Sequence, residues 1–321
     1  MSVPAVSVCV RAYARPDDLR AAIRSVLAQT FGDFELIVSD DSAGLESVCL
    51  ESGDPRVSYH RNPGPRGPVG NLRHAVGLAR GGIIAVLDED DTWLPAFLTT
   101  TVGRLRADAR TGVVFTDCFL DVGGRRTRRR LALPTGPQDR FAARVLDHSI
   151  PPSTAILRRE VWDDGERALP LEPGMVADWT VWLRAADAGW RFDYVDEPLA
   201  VYRLHPGQMS WNEALLPTRQ IATLQAFRFE DPAAERLRRA RLAEAHLKRL
   251  GANLRRGRVR GGMADLRAAR SAAPGRLGVR GLLAFSGARS TAMRWGSRHP
   301  RLIGPARVVW RRLRPSVGGR G

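Results

Sequence analysis

The architecture of this chain turns on Ile-Ile-Ala-Val-Leu-Asp-Glu-Asp-Asp-Thr-Trp, residues 83–93. Residues 83–87 are continuously apolar and read as a strand, and the strand delivers its carboxyl end straight into Asp88-Glu89-Asp90-Asp91. Residues 34–38 repeat the arrangement and run into Asp40-Asp41, while residues 6–10 form a third run, apolar and β-branched, of the kind buried on both faces of a parallel sheet. Between the first two strands in the chain, Pro16-Asp17-Asp18 opens a helix that carries Leu19, Ile23, Val26 and Leu27 at helical spacing. The proline suits a first helical turn by its fixed φ, and the two acids suit it by the helix dipole. Strand, helix, strand is the βαβ unit. In open α/β sheets ligands collect at the carboxyl ends of the strands, which is where both acidic clusters fall.

Working outward, residues 57–60 predict a strand, 62–70 a Gly/Pro-rich loop and 72–78 a short helix. A helix over about 95–105 precedes a strand over 113–122, which Gly123-Gly124 turns into an arginine-rich return arm, 125–133. Strand segments at 153–157, 192–195 and 199–202 and a helix over 179–188 complete an α/β domain that is expected to span 1–211. After Trp211 the texture changes to Ala/Leu/Arg-rich helical periodicity over 217–229, 232–254 and 262–272. The expectation is a helical extension over 212–275 and a basic, loosely ordered tail over 276–321.

Charge divides along the same line. The whole chain has 50 Lys+Arg against 34 Asp+Glu; residues 212–321 hold 25 of the basic and 6 of the acidic ones, leaving 25 and 28 for residues 1–211. The first part is thus near neutral and the second strongly cationic. Lys248 is the only lysine, so part of the arginine excess reflects coding bias rather than a binding surface. Cys9, Cys49 and Cys118 lack the spacing of a zinc site or a disulfide scaffold and point to a reducing compartment. The opening apolar run lacks the basic flank and length of a signal peptide, and no later run is long enough to span a bilayer. The expected location is cytoplasmic, with a peripheral seat on the inner face of the cell membrane left open.

Closely spaced carboxylates repel unless a hard cation neutralises them, so the 88–91 quartet points to a divalent ion such as Mg²⁺ or Mn²⁺. A solvated turn with a helix cap at Asp91 or Thr92 is the competing account. Context decides between them. Val-Ser-Val-Cys-Val-Arg-Ala-Tyr (6–13), Ser-Val-Leu-Ala-Gln-Thr-Phe-Gly-Asp-Phe-Glu-Leu-Ile-Val-Ser-Asp-Asp-Ser (25–42) and Ala-Val-Leu-Asp-Glu-Asp-Asp-Thr-Trp-Leu-Pro (85–95) closely resemble family 2 glycosyltransferases, in order and in spacing. Asp178-Trp179 with Trp182-Leu183-Arg184, then Asp196-Glu197-Pro198-Leu199 and Tyr202-Arg203-Leu204-His205-Pro206-Gly207, resemble later segments of that family, so the likeness covers about residues 6–210.

The resemblance implies a GT-A fold, Rossmann-like with a mostly parallel sheet, and an inverting transfer of sugar from a nucleotide-diphosphate donor, UDP favoured, to a hydroxyl acceptor. It implies that Asp41 reads the nucleoside base, that Asp88 and Asp90 form the DxD pair with Asp90 the chief metal ligand, and that His205 contacts metal or diphosphate. Asp178 corresponds to the base that takes the acceptor proton as its oxygen attacks the anomeric carbon; capping of a helix starting at Trp179 is its alternative role. Tyr13 either packs beside the base or simply closes the strand end as an ordinary aromatic. The sequence departs from the family at Arg11, where Pro or Thr is usual, at Ala14, often Asn, and at Ala177 and Thr180, often acidic. Arg11 is therefore a candidate contact for an additional anionic group.

Arg125, Arg126, Arg128, Arg129 and Arg130 read as a solvated loop or, alternatively, as an anion grip for the acceptor or a membrane, with Arg125 and Arg128 as the candidates. The helix over 232–254 is expected to pack by its apolar side, and Trp295 and Trp310 among arginines suggest an interfacial anchor. The acceptor class stays open among polysaccharide, lipid-linked and small-molecule hydroxyls. Two rivals are an inactive transferase-like protein that binds a polyanion or membrane, and a nucleotidyltransferase; Arg11-Ala-Tyr-Ala-Arg15 makes a poor phosphate loop for the latter. No nucleic-acid motif is present.

Overall fold

A computed structural model describes residues 2–131, 133–208, 212 and 215–274. The expected tail over 276–321, with Trp295 and Trp310, lies outside the described residues. In chain order the elements are β1 (Val6–Ala12), α1 (Pro16–Leu27), β2 (Phe34–Asp40), α2 (Glu46–Leu50), β3 (Val57–Arg61), α3 (Pro68–Leu78), β4 (Ile83–Asp88), β5 (Thr92–Trp93), α4 (Phe97–Ala107), β6 (Thr111–Val122) and β7 (Arg125–Arg129). They continue as β8 (Gly136–Gln138), α5 (Ala142–Asp147), β9 (Ala155–Arg158), α6 (Arg159–Ala168), α7 (Ala177–Asp187), β10 (Arg191–Arg203), α8 (Leu215–Ala226), α9 (Pro232–Arg255) and α10 (Val259–Ala272).

One sheet, ordered β3-β2-β1-β4-β9-β6-β10-β5, organises the first of two compact units, Met1–Arg241. β3, β2, β1 and β4 are mutually parallel, β10 runs parallel to β6, and β9 lies antiparallel between β4 and β6. Val8, Val10, Leu36, Val38 and Leu87 are fully buried and pack with Leu19, Ile23 and Val26 of α1, which explains the continuous apolar character of the strands. The chain moves from β1 outward to β2 and β3, then returns through α3 to β4 on the other side of β1. That reversal opens a crevice at the carboxyl ends of β1 and β4.

Several elements differ from their sequence-based outlines. α7 starts at Ala177, not at Trp179, so Asp178 lies inside the first turn and the cap position belongs to Val176. Neither Asp91 nor Thr92 caps a helix, because Thr92–Trp93 pairs with β10 and α4 begins only at Phe97. β10 is one long strand; Pro198, which has no N–H to donate, shifts its register there and makes the sequence read as two pieces. α6 escapes the periodicity argument because only Val161, Trp162 and Gly165 of its ten residues are buried. The arginine arm is the ordered edge strand β7, folded back on β6 through Gly123 and Gly124, both at positive φ (59° and 86°) as a tight hairpin turn requires.

The first unit also continues past residue 211. Thr223 of α8 accepts the Val176 amide through Oγ1 at 3.0 Å, Arg238 donates to the Leu224 carbonyl at 2.8 Å, and Arg241 donates to the Leu146 carbonyl at 3.1 Å. These backbone partners hold α8 and the start of α9 to the α/β body, which composition alone could not indicate. The second unit begins at Leu242. There Leu247, Leu250, Leu266 and Ala269 form a small core between the end of α9 and α10.

Ala14 sits at φ 60°, in the left-handed region, where a β-carbon costs about 1 kcal/mol or more and asparagine is better tolerated. Ala14→Asn is therefore expected to raise the melting temperature by about 1–3 °C, the shift that about 1 kcal/mol produces in a chain of this size. An unchanged or lower melting temperature would show that the loop has relaxed away from this conformation.

Candidate active site

β1 ends between β2 and β4, and its last carbonyls tie the two neighbouring acidic segments to it. The Asp41 amide donates to Ala12 O at 3.0 Å and the Glu89 amide to Arg11 O at 3.3 Å. Register places Arg11 directly beside Asp88 on the neighbouring strand. The Arg11 guanidinium grips Asp88 through Nε at 2.8 Å, with a second, shorter bond from Nη2. Burial works against the Arg11 charge, but Asp88, Asp178 and Asp90 together hold its pKa above the ordinary value. A single cation thus lies within electrostatic reach of carboxylates from the β4 turn and from α7.

Asp88, Asp90 and Asp91 each bring an oxygen to within 4.8 Å of the other two. The turn is held between strands: β5 ties it to β10, the Asp88 amide donates to Ser153 Oγ at 3.1 Å, and the Trp93 indole donates to Ser153 O at 2.7 Å. Asp91 is 1% exposed; its Oδ1 accepts the Arg203 amide at 2.9 Å, whereas its buried Oδ2 has no hydrogen-bond partner among the described residues. Burial, then the charges of Asp90 and Asp88, lift the Asp91 carboxyl well above the usual range. Burial lifts Asp88 as well, with Arg11 opposing and Asp90 adding to the rise. An orphaned carboxylate oxygen beside two further carboxylates is a donor set that fits a hard divalent cation such as Mn²⁺ or Mg²⁺.

The remaining neighbours face other tasks. Glu89 turns toward β1, where its Oε2 accepts the Tyr13 amide at 2.7 Å and Arg15 Nε lies 3.7 Å from Oε1. Burial pushes Glu89 up to about 8 despite that bond. His205 stands behind Asp90: its Nδ1 accepts the Gly207 amide at 3.1 Å, leaving Nε2 to donate to Asp90 Oδ2 at 2.8 Å. In this arrangement the imidazole orients Asp90, while the third carboxylate of the group is Asp91.

Asp178 occupies the first turn of α7, at the positive end of the helix dipole. Burial raises its pKa, and Arg11 and the backbone amides of that turn offset part of the rise. α7 itself is anchored by two indoles, Trp179 Nε1 on Val145 O at 2.9 Å and Trp182 Nε1 on Ile150 O at 3.1 Å.

Across β1, the two acids after β2 divide their work. Asp40 is consumed by the loop, accepting the amides of Ser42, Gly44 and Leu45, the Ser42 hydroxyl at 2.6 Å and the Tyr59 hydroxyl at 3.1 Å. Asp41 spends one bond per oxygen, on Asn62 Nδ2 at 2.6 Å and the Gly67 amide at 2.7 Å, and keeps a lone pair on each. Asn71 of α3 donates to Ala12 O at 3.2 Å and buries an Oδ1 that has no partner among the described residues. Tyr13 is 65% exposed, so it closes no core there. Of the arginine arm, Arg128 is bound to the buried Asp117 at 2.8 Å and to Asp196, whereas Arg125 is exposed.

Sequence reasoning did not select Asp91, Ser153 or Asn71. Asp91 was visible within the quartet, but only the pairing of β5 with β10 turns it toward Asp88 and Asp90. Ser153 and Asn71 carry no local signal, since both act through partners more than fifty residues away.

The profile of the family described as Glycosyl transferase family 2 matches residues 7–165. A GalNAc(5)-diNAcBac-PP-undecaprenol beta-1,3-glucosyltransferase of Campylobacter jejuni is 34% identical over 127 residues, 38% of this chain, and the match spans only 40% of that enzyme's length. The UDP-Glc:alpha-D-GlcNAc-diphosphoundecaprenol beta-1,3-glucosyltransferase WfaP of Escherichia coli is 24% identical over 223 residues, covering 69% of this chain and 86% of that one. Among solved structures, a mannosyltransferase of Pyrobaculum calidifontis in complex with GDP-Man and Mn2+ superposes with a TM-score of 0.59 at 18% identity, over 96% of this chain and 83% of that one. At that identity the likeness concerns the fold: a mixed α/β body of the GT-A type with a mostly parallel sheet.

Proposed function

The chain belongs to glycosyl transferase family 2, and on that footing we propose that it transfers a sugar, with inversion, from a nucleotide-diphosphate donor to a hydroxyl of a lipid-linked saccharide. The observation that carries this reading is the convergence of Asp88, Asp90 and Asp91 at the carboxyl end of β4, with Arg11 and Asp178 in electrostatic reach. UDP is the favoured nucleotide, and the lipid-linked acceptor is favoured because the relatives from Campylobacter jejuni and Escherichia coli are named for undecaprenol-linked substrates.

In this mechanism Asp88, Asp90 and Asp91 would hold a divalent cation, Mn²⁺ or Mg²⁺. When bound, that ion neutralises the donor diphosphate and stabilises the departing nucleotide. Asp41 receives the nucleoside base with the lone pairs left free by Asn62 and Gly67, and the exposed Tyr13 ring offers a face beside it. His205 keeps Asp90 oriented through its Nε2–H, and Arg11 balances part of the acid cluster. Asp178 accepts the proton of the acceptor hydroxyl as that oxygen bonds the anomeric carbon and the bond to the nucleotide breaks on the opposite face. Its raised pKa suits a general base, because a base poised closer to neutral transfers protons most effectively.

Thermal unfolding with a panel of nucleotide diphosphates and nucleotide sugars, each with and without Mn²⁺, tests the donor half of the reading. Ligand present at a hundred times its dissociation constant stabilises by about 2.7 kcal/mol, a shift of several degrees. The expected result is a rise with UDP-linked compounds that depends on the metal. A flat response to every nucleotide, with Mn²⁺ or Mg²⁺ present, would remove the proposal.

A further inference from the structure

We propose that the tip of the α9–α10 hairpin in the second unit docks on an anionic lipid bilayer. The inference goes beyond the transfer reaction and stands on the hairpin alone. The tip, residues 254–263, reads Leu-Arg-Arg-Gly-Arg-Val-Arg-Gly-Gly-Met. Every residue of 254–261 is exposed, Arg255, Arg256, Arg258 and Arg260 included. Three aliphatic side chains stand among these arginines: Leu254 is 49% exposed, Val259 59% and Met263 47%. They make up three of the eight large exposed apolar side chains of the described residues, gathered within ten positions. Scattered singly they would call for no account; concentrated on one arginine-ringed tip they mark a contact surface.

The tip is built to hold this shape. Gly257, at φ 69°, makes the turn, and the Asn253 carbonyl accepts the amides of Arg256 at 3.1 Å and Arg258 at 2.9 Å. Below it, the buried Asp265 gathers His246 Nδ1 at 2.9 Å, Arg249 Nη2 at 2.7 Å and Asn253 Nδ2 at 3.0 Å, which fastens α10 to the end of α9. A β-carbon on Gly262 would lie 3.1 Å from the Leu254 side chain, so the two helices approach closely at the tip.

Charge selects the occupant. No carboxylate occurs between Glu244 and Asp265, and Asp265 is spent internally, so the tip has no exposed acid of its own. Residues 275–321 hold eleven arginines and no Asp or Glu, so that segment has the same charge as the tip and offers it no complementary cover. An anionic bilayer supplies phosphate for the guanidiniums and an acyl boundary for Leu254, Val259 and Met263, the combination by which peripheral proteins seat at an interface. A second copy of the hairpin would place cation against cation.

Flotation of the full-length protein with phosphatidylcholine vesicles, and with vesicles in which about a third of the lipid is phosphatidylglycerol, tests the assignment. Wild type should float only with the anionic vesicles and release as salt rises. The pair Arg258→Glu and Arg260→Glu should weaken binding about tenfold or more, and Val259→Ser with Met263→Ser should weaken it without changing the salt dependence. Both variants should keep the wild-type melting temperature and its response to nucleotide and Mn²⁺, which separates loss of docking from loss of fold and from failure of the transferase reading. Undiminished flotation of either variant, absence of wild-type binding to anionic vesicles, or a dimer dispersed by the Val259→Ser and Met263→Ser pair would each overturn the proposal.

Discussion

Asp178→Asn is expected to lower turnover about a thousandfold while leaving the fold and donor binding in place. General-base catalysis contributes on the order of 10²–10⁴ in rate, and an amide cannot take the acceptor proton. The substitution is structurally mild, since asparagine has the same shape and is tolerated as well as aspartate near a helix N-terminus. The loss should therefore appear in kcat, with the nucleotide-dependent rise in melting temperature retained. A pH profile adds a second readout. Burial raises the Asp178 pKa, so the wild-type rate should fall as pH drops through that raised value, at a higher pH than an ordinary aspartate would give. In Asp178→Asn this acid limb should vanish from the residual activity. Turnover near wild type in Asp178→Asn would assign the proton to another group.

Asp90→Ala should reduce turnover about a hundredfold to a thousandfold, the usual scale for removing one charge-stabilising contact to a leaving group. It should also abolish the Mn²⁺-dependent part of the thermal shift with nucleotide. The comparison with Asp88→Asn is informative because Arg11 already neutralises Asp88 through a bond of 2.8 Å, whereas Asp90, among the described residues, is bonded to the His205 N–H. Removing the Asp88 charge leaves the guanidinium in the site as a competing cation, so Mn²⁺ affinity should fall in both variants and recover in the double variant Asp88→Asn with Arg11→Met. Isothermal titration with Mn²⁺ alone reads this without reference to activity. Equal Mn²⁺ binding by wild type and Asp90→Ala would place the ion elsewhere.

Much of this site is legible in the sequence. The apolar runs ending in Asp40-Asp41 and in Asp88-Glu89-Asp90-Asp91 announce parallel strands and locate their carboxyl ends, because a strand buried on both faces leaves a continuous signature. The helix of α1 was equally plain, its proline, first-turn acids and apolar spacing all agreeing. Asp178 stands out by likeness to a family rather than by any physical rule, and α7 begins at Ala177, two residues before the start its sequence suggests. The arginine run shows the limit most clearly. Five arginines in six positions look like a solvated loop, yet Arg128 reaches the buried Asp117 and Arg126 the largely buried Asp121, acids contributed by the partner strand β6.

The strands that end in Arg11-Ala12, Asp40-Asp41 and Asp88, the helical texture after residue 211 and the identity of the acidic residues were determined by sequence alone, because they depend on local periodicity and on the chemistry of individual side chains. Which acids meet was decided only by tertiary structure. Asp91 joins Asp88 and Asp90 because β5 is drawn onto β10, and Arg11 meets Asp88 because β1 lies next to β4 instead of following chain order. The physical reason is range: propensity and hydrophobic spacing act over a few residues, whereas carboxylate repulsion, ion pairing and the burial of Asp91 Oδ2 depend on distances set by strand order.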